Sequence, residues 1–329
     1  MIRKELCENT TAEVCEISGL ESRSLYDRLY EDILESILSC LHDRANRNSA
    51  ESGFIEELDS VASLRYVLDE VIKPSDVYRI IILPTTILQI YSHHQIVDST
   101  KYPIWKGYLK DLFTIWLKLT VLDKRSDKES VTDQVVEISD CLVKEISWEL
   151  KGHMSVVASH IEDIPDDSVT KPSLIDEWAS LTERYYPYGD YVAYAIGRIT
   201  YIREEDRTLL SQFLCNLLVL DQLLDDLADW MDDLENGSRS FITRSIRYKY
   251  PNTTGQSSDY TGRENEISRF FISDILPEYL SYINRQVTET MSFTFKDELM
   301  SRFAGEILGS YGEEIDGVYG ILRRSLERV

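Results

Sequence analysis

The sequence predicts an all-α chain. Apolar residues recur at three- and four-residue steps in one stretch after another, and no alternating segment bounded by tight turns interrupts them. The longest such pattern, Leu209, Phe213, Leu217, Leu220, Leu224, Leu227, Met231 and Leu234, traces one face of a long helix. Carboxylates run through its second half at Asp225, Asp226, Asp229, Asp232 and Asp233.

Taken in order, residues 24–42 repeat Leu29, Ile33, Ile37 and Leu41 at four-residue steps and predict a first helix. Residues 53–72 carry Ile55, Leu58, Val61, Leu64, Val67 and Val71 in the same manner. Residues 76–98 are more uniformly apolar, which predicts a helix buried on most sides. Residues 104–122 and 129–161 continue the pattern, and Asn265 to Arg269 reads as the start of a late helix. Loops are expected at 123–130, 162–171 and 250–262, the last rich in turn-forming Pro, Asn, Gly and Ser. Asn236-Gly237 supplies the usual stop for the acidic helix. The expected architecture is one helical domain over residues 1–329, with residues 1–20 a loosely ordered N-terminal segment.

Charge and cysteine usage narrow the class further. The formal charge of -23 over 329 residues argues against nucleic acid or an anionic membrane as the main partner. The cysteines at 7, 15, 40, 141 and 215 are odd in number and scattered, a pattern of reduced thiols rather than of a disulfide framework or a zinc site. The longest apolar stretch, Ile80 to Tyr91, is too short to span a bilayer and contains Pro84. No apolar run follows the basic residues at the N-terminus, so a cytoplasmic protein with no transmembrane segment is expected.

Asp225 and Asp229 stand four apart and so share one helix face, where like charges repel. Such a helix either faces open water or holds cations. Carboxylates are the hard oxygen ligands that Mg²⁺ takes, one or two per ion, the rest coming from water and substrate phosphate. The chemistry that fits the second alternative is a metal-bridged diphosphate site.

Gln222-Leu-Leu-Asp225-Asp226-Leu-Ala-Asp229 has the form QxxDDxxD, and upstream of it stand Gly152-His153-Met154 and Lys171-Pro172-Ser173-Leu174. In order and spacing these resemble the trans-isoprenyl diphosphate synthases and the class I terpene synthases related to them. The resemblance covers about residues 150–240 and, more loosely, the whole chain. It implies the isoprenoid synthase bundle around a central cavity, Mg²⁺, an allylic prenyl diphosphate substrate and a homodimer. Carried over by position, it implies that Asp225, Asp226 and Asp229 match the second aspartate-rich motif, with Asp225 and Asp229 on the metal. Lys171, Gln222 and Arg239 then match the groups that contact the diphosphate, although Pro172 replaces the family's threonine and Arg239 lies one position later than its lysine.

The first aspartate-rich motif departs from the family. The best match is His93-His94-Gln95-Ile96-Val97-Asp98, in which His94 and Gln95 replace the two leading acids and leave Asp98 as the one carboxylate for metal. Neutral His and Gln are poor ligands for a hard cation, so a structural or proton-handling role suits His93 and His94 better. No arginine pair follows Asp98, and the segment that holds isopentenyl diphosphate in the elongating enzymes has no clear counterpart. This asymmetry favours a cyclase, which ionises a C15 to C20 allylic diphosphate and lets the cation attack its own double bonds or capture water. Aromatic faces stabilise such a cation, and Tyr91 and Tyr186 are the expected cavity-lining rings beside His93 and His94. Two alternatives stay open: elongation with isopentenyl diphosphate, and a non-catalytic partner subunit that keeps the fold.

Overall fold

The computed structural model describes residues 22–47, 58–92, 100–126, 131–146, 171–250 and 263–326. All regular structure among them is helical, with no strand. In chain order the elements are α1 (Ser22–Arg47), α2 (Val61–Leu68), α3 (Pro74–Val77), a π turn (Tyr78–Ile82), α4 (Leu83–Tyr91), α5 (Lys101–Ser126) and α6 (Asp133–Glu145). There follow α7 (Leu174–Ile199), α8 (Glu204–Ala228), α9 (Trp230–Asn236), α10 (Phe241–Lys249), α11 (Glu264–Phe270), a second π turn (Phe271–Ile275), α12 (Leu276–Met291) and α13 (Glu298–Leu326). None of the described helices is long and apolar enough to cross a membrane.

Several boundaries differ from the sequence expectation. The helix expected over 53–72 begins at Val61, because Ser60 and Ser63 form a reciprocal capping box that fixes the start there. Of the helix expected over 129–161, α6 covers Asp133–Glu145 and stops where Ile146 turns to extended backbone with ψ 149°, while residues 147–161 lie outside the described residues. The loop expected from residue 123 is helical as far as Ser126. The π turns share a cause. Each ends one residue before a Leu-Pro pair, Leu83-Pro84 and Leu276-Pro277. Proline has no N–H for the ladder and its ring crowds the carbonyl four residues back, so the helix widens by one residue ahead of it.

Contacts divide the chain into two compact units, Met1–Ile161 with Asp190–Thr208, and Glu162–Gly189 with Leu209–Val329. In the first unit, α1 buries Leu29, Ile33, Leu34 and Ile37 completely. Burial of each such side chain stabilises by about 1.5–3 kcal/mol. Every residue of α4 is buried, as its uniform apolarity predicts. Its polar side chains are partly tied down: Trp105 Nε1 donates to Thr85 Oγ1 at 3.1 Å, and the Tyr26 and Thr86 hydroxyls lie 2.9 Å apart. Thr200 Oγ1 donates to the Tyr91 carbonyl at 3.1 Å.

The second unit is built on α8. From Phe213 to Leu224 every residue but Asn216 and Gln222 is buried, which is the signature of a helix enclosed by others. Three tyrosines from three neighbouring helices fasten its second half. Tyr185 of α7 donates to Gln222 Oε1 at 2.9 Å, Tyr279 of α12 to the Leu223 carbonyl at 2.7 Å, and Tyr311 of α13 to Asp221 Oδ1 at 2.5 Å. Gly189 lets α7 approach closely, since a Cβ there would lie 2.3 Å from the Ser211 carbonyl oxygen.

Candidate functional site

The acidic helix is interrupted where the sequence predicts continuity. α8 ends at Ala228, Asp229 leaves helical geometry at φ -107° and ψ 13°, and α9 resumes at Trp230. The break is shallow, because Asp229 N–H still bonds to the Asp225 carbonyl at 3.0 Å and Asp233 N–H to the Asp229 carbonyl at 2.9 Å. α9 then stops at Gly237, whose φ of 85° is the left-handed conformation that ends helices, with Ser238 N–H on the Asp233 carbonyl at 2.9 Å.

The acids divide between two environments. Asp225, Asp229 and Asp232 are exposed and fall on one stripe of the helical surface, while Asp226, 100° further round, turns inward and is only 7 % exposed. Gln222 Nε2 donates to Asp226 Oδ1 at 2.8 Å, and Tyr185 donates to the other end of the same amide. Burial pushes the Asp226 carboxyl well above its usual value of 3.8; the hydrogen bond from Gln222 opposes this, and the nearby Glu177, Asp233 and Asp225 reinforce it. Burial likewise raises the Tyr279 hydroxyl, with Asp226 the leading charge beside it.

Glu177 completes the inner cluster. Its side chain is 12 % exposed and accepts from Arg244 and, at 3.2 Å, from the Phe241 N–H that opens α10. Burial raises its pKa above 4.5, and Arg244, the Phe241 amide and the Arg244 hydrogen bond pull the other way. Nothing in the sequence singles out Glu177. Its partners lie more than sixty residues away, and no spacing rule connects them.

These positions decide what the expected site residues can do. Asp225 and Asp229 are hard oxygen donors one turn apart, a pair that fits the one or two carboxylates Mg²⁺ accepts. Asp226 does not join them, because its carboxyl is turned inward and bonded to Gln222. Gln222 is engaged at both ends of its amide, so it orients Asp226 and Tyr185. Lys171, just before α7, and Arg239, between α9 and α10, are both exposed. Among the described residues no group of three or more His, Cys, Asp or Glu side chains is arranged to hold a metal ion.

Of the expected cavity rings, Tyr91 is buried in the first unit at 7 % exposure, whereas Tyr186 is 44 % exposed on α7 and lines no interior. His93, His94 and Asp98, and with them the whole first motif, lie outside the described residues, as do residues 1–20 and 251–262. No known protein family, curated protein or solved structure matches this chain.

Proposed function

We propose that the protein is a class I terpene cyclase-like enzyme that ionises an allylic prenyl diphosphate with Mg²⁺ and lets the resulting cation cyclise or capture water. The observation that carries this reading is the partition of the QxxDDxxD segment. Its inner members, Gln222 and Asp226, are consumed in a network with Tyr185, while Asp225 and Asp229 stand one turn apart on the exposed stripe. Three tyrosines pin the helix that carries Asp225, and the Asp229 N–H bond to the Asp225 carbonyl keeps the second acid one turn on, which suits a preorganised site.

When bound at Asp225 and Asp229, Mg²⁺ supplies positive charge that stabilises the departing diphosphate. Lys171 and Arg239 would add cationic donors to the same group, Arg239 as a planar fork suited to phosphate oxygens. Gln222 and Asp226 keep the acidic turn in register from behind. A homodimer belongs to the same proposal. The test is turnover of prenyl diphosphates by the intact protein and by Asp225→Asn. Loss of Mg²⁺-dependent turnover in the variant, with its melting temperature unchanged, supports the reading, and full activity in the variant removes Asp225 from the metal. Lys171→Ala should weaken diphosphate affinity, and an unchanged affinity would return Lys171 to the plain surface.

A second reading is a partner subunit that keeps the fold without catalysis. One observation favours it: His94 and Gln95 stand where the first aspartate-rich motif has its two leading acids. It predicts that the isolated protein binds Mg²⁺ and prenyl diphosphates no better than a generic acidic surface does.

A further inference from the structure

The break at Asp229 has no local cause in the sequence. Helices bend sharply at proline, at glycine or serine, at π turns or where a side chain intrudes, and Asp225 to Glu235 contains no Pro, Gly or Ser. The ladder bonds across the break persist, so hydrogen bonding does not force it either. A tertiary contact follows immediately: the Trp230 ring lies flat on Phe271, with centroids 4.3 Å apart and planes 20° from parallel. Phe271 is 1 % exposed and opens the second π turn.

The π turn places that ring. Phe271 stands eight residues before Tyr279, a spacing that in a regular helix leaves two side chains ~80° apart round the axis. Here the Leu276 N–H donates to the Phe271 carbonyl, five residues back, and the wider turn absorbs one extra residue. The phase becomes that of seven residues, ~20° off a single face. Both rings are buried, and both meet the acidic segment. Tyr279 fastens one end of it, donating to the Leu223 carbonyl at 2.7 Å, and Phe271 fastens the other at Trp230. Leu223 and Trp230 are seven residues apart, about two turns, and Asp225, Asp226 and Asp229 all lie between them. Those acids repel one another, so contacts from outside the segment are needed to keep it in one shape.

We infer that Trp230 and Phe271 are positioning residues: their stack, working with Tyr279, holds the break at Asp229 and so fixes where its carboxylate projects relative to Asp225. That the pair so held takes Mg²⁺ rests on the function proposed above; the clamp on the backbone does not.

The test is hydrogen exchange of the metal-free, full-length protein, followed by calorimetric titration with Mg²⁺ alone, for the intact chain, Trp230→Leu and Trp230→Phe. Trp230 is half-buried, so both variants should keep the fold, which equal melting temperatures will check. Trp230→Leu keeps an apolar side chain and loses the ring. It should speed exchange of the 229–233 amides by about threefold to tenfold, the effect of an aromatic pair beyond its buried area. Leu217 to Leu224 should stay as protected as before. Mg²⁺ affinity should fall by about tenfold or more, as it does on loss of a group that orients a metal ligand. Trp230→Phe keeps a ring and should stay close to the intact protein in both measurements. Phe271→Leu removes the other ring and should repeat the exchange pattern of Trp230→Leu; a different pattern overturns the pairing. Unchanged exchange in Trp230→Leu, or equal effects in the Leu and Phe variants, overturns the inference. Faster exchange with unchanged Mg²⁺ affinity overturns the positioning role where Asp225→Asn does weaken Mg²⁺. If Asp225→Asn also leaves Mg²⁺ affinity unchanged, the proposed function fails and the clamp on the backbone stands.

Discussion

At the scale of single residues, the chemistry is decided by which way neighbouring acids face. Asp225 and Asp226 are adjacent in sequence, yet one is exposed and the other is sealed behind Gln222. Because the folded Asp226 carboxyl titrates above its usual 3.8, the folded state holds a proton that the unfolded chain has released. Stability should therefore fall as pH rises from about 3.8 through the raised folded value, then level off. Asp226→Asn keeps an acceptor for Gln222 Nε2 and has no proton to lose, so it should flatten that part of the profile and melt higher than the intact protein at neutral pH. Identical pH profiles for the two proteins would place the Asp226 carboxyl in contact with water. The acidic motif was legible in the sequence, but its division was not. That division depends on Tyr185, thirty-seven residues away, taking the other end of the Gln222 amide.

At the scale of elements, two glycines govern how the acidic helix is framed. A Cβ at Gly189 would press against backbone of α8 rather than a movable side chain, so Gly189→Ala should destabilise by about 3 kcal/mol, the upper end for overpacking, in a denaturant titration. Gly237→Ala forces a side chain into the left-handed region at φ 85° and should cost about 1 kcal/mol, with no steric contact to blame, since nothing lies within 4 Å of its Cβ. Equal stability of either variant would show that the local backbone relaxes. Helix existence was readable from apolar spacing at α1, α4, α5 and the acidic helix, because their buried faces follow it closely. α2 and α6 proved shorter than the periodicity suggests. Apolar spacing continues past the point where a cap such as Ser60 or an extended residue such as Ile146 ends the helix. α7 and α10, which bring Glu177 and Arg244 into play, follow the same spacing, with Val192 and Ile196 on the one and Ile242 and Ile246 on the other four apart and buried.

At the scale of the whole molecule, the formal charge of -23 sets a background that repels anionic ligands, so any diphosphate must be drawn in by local cations and metal. Self-repulsion of that size also predicts that moderate salt raises the melting temperature above its value in low-salt buffer, and a decrease would mean that ion pairs dominate instead. The all-α class followed directly from sequence periodicity; the proposed bundle type and the proposed reaction rest on the resemblance of the acidic segment. The most direct measurement is release of inorganic diphosphate from geranyl, farnesyl and geranylgeranyl diphosphate by the full-length protein with Mg²⁺, with and without isopentenyl diphosphate, and identification of the products by mass. Diphosphate release without isopentenyl diphosphate, hydrocarbon or alcohol products, and a loss of about a hundredfold or more in Asp225→Asn are expected. Absence of diphosphate release from all three substrates would contradict the proposed function.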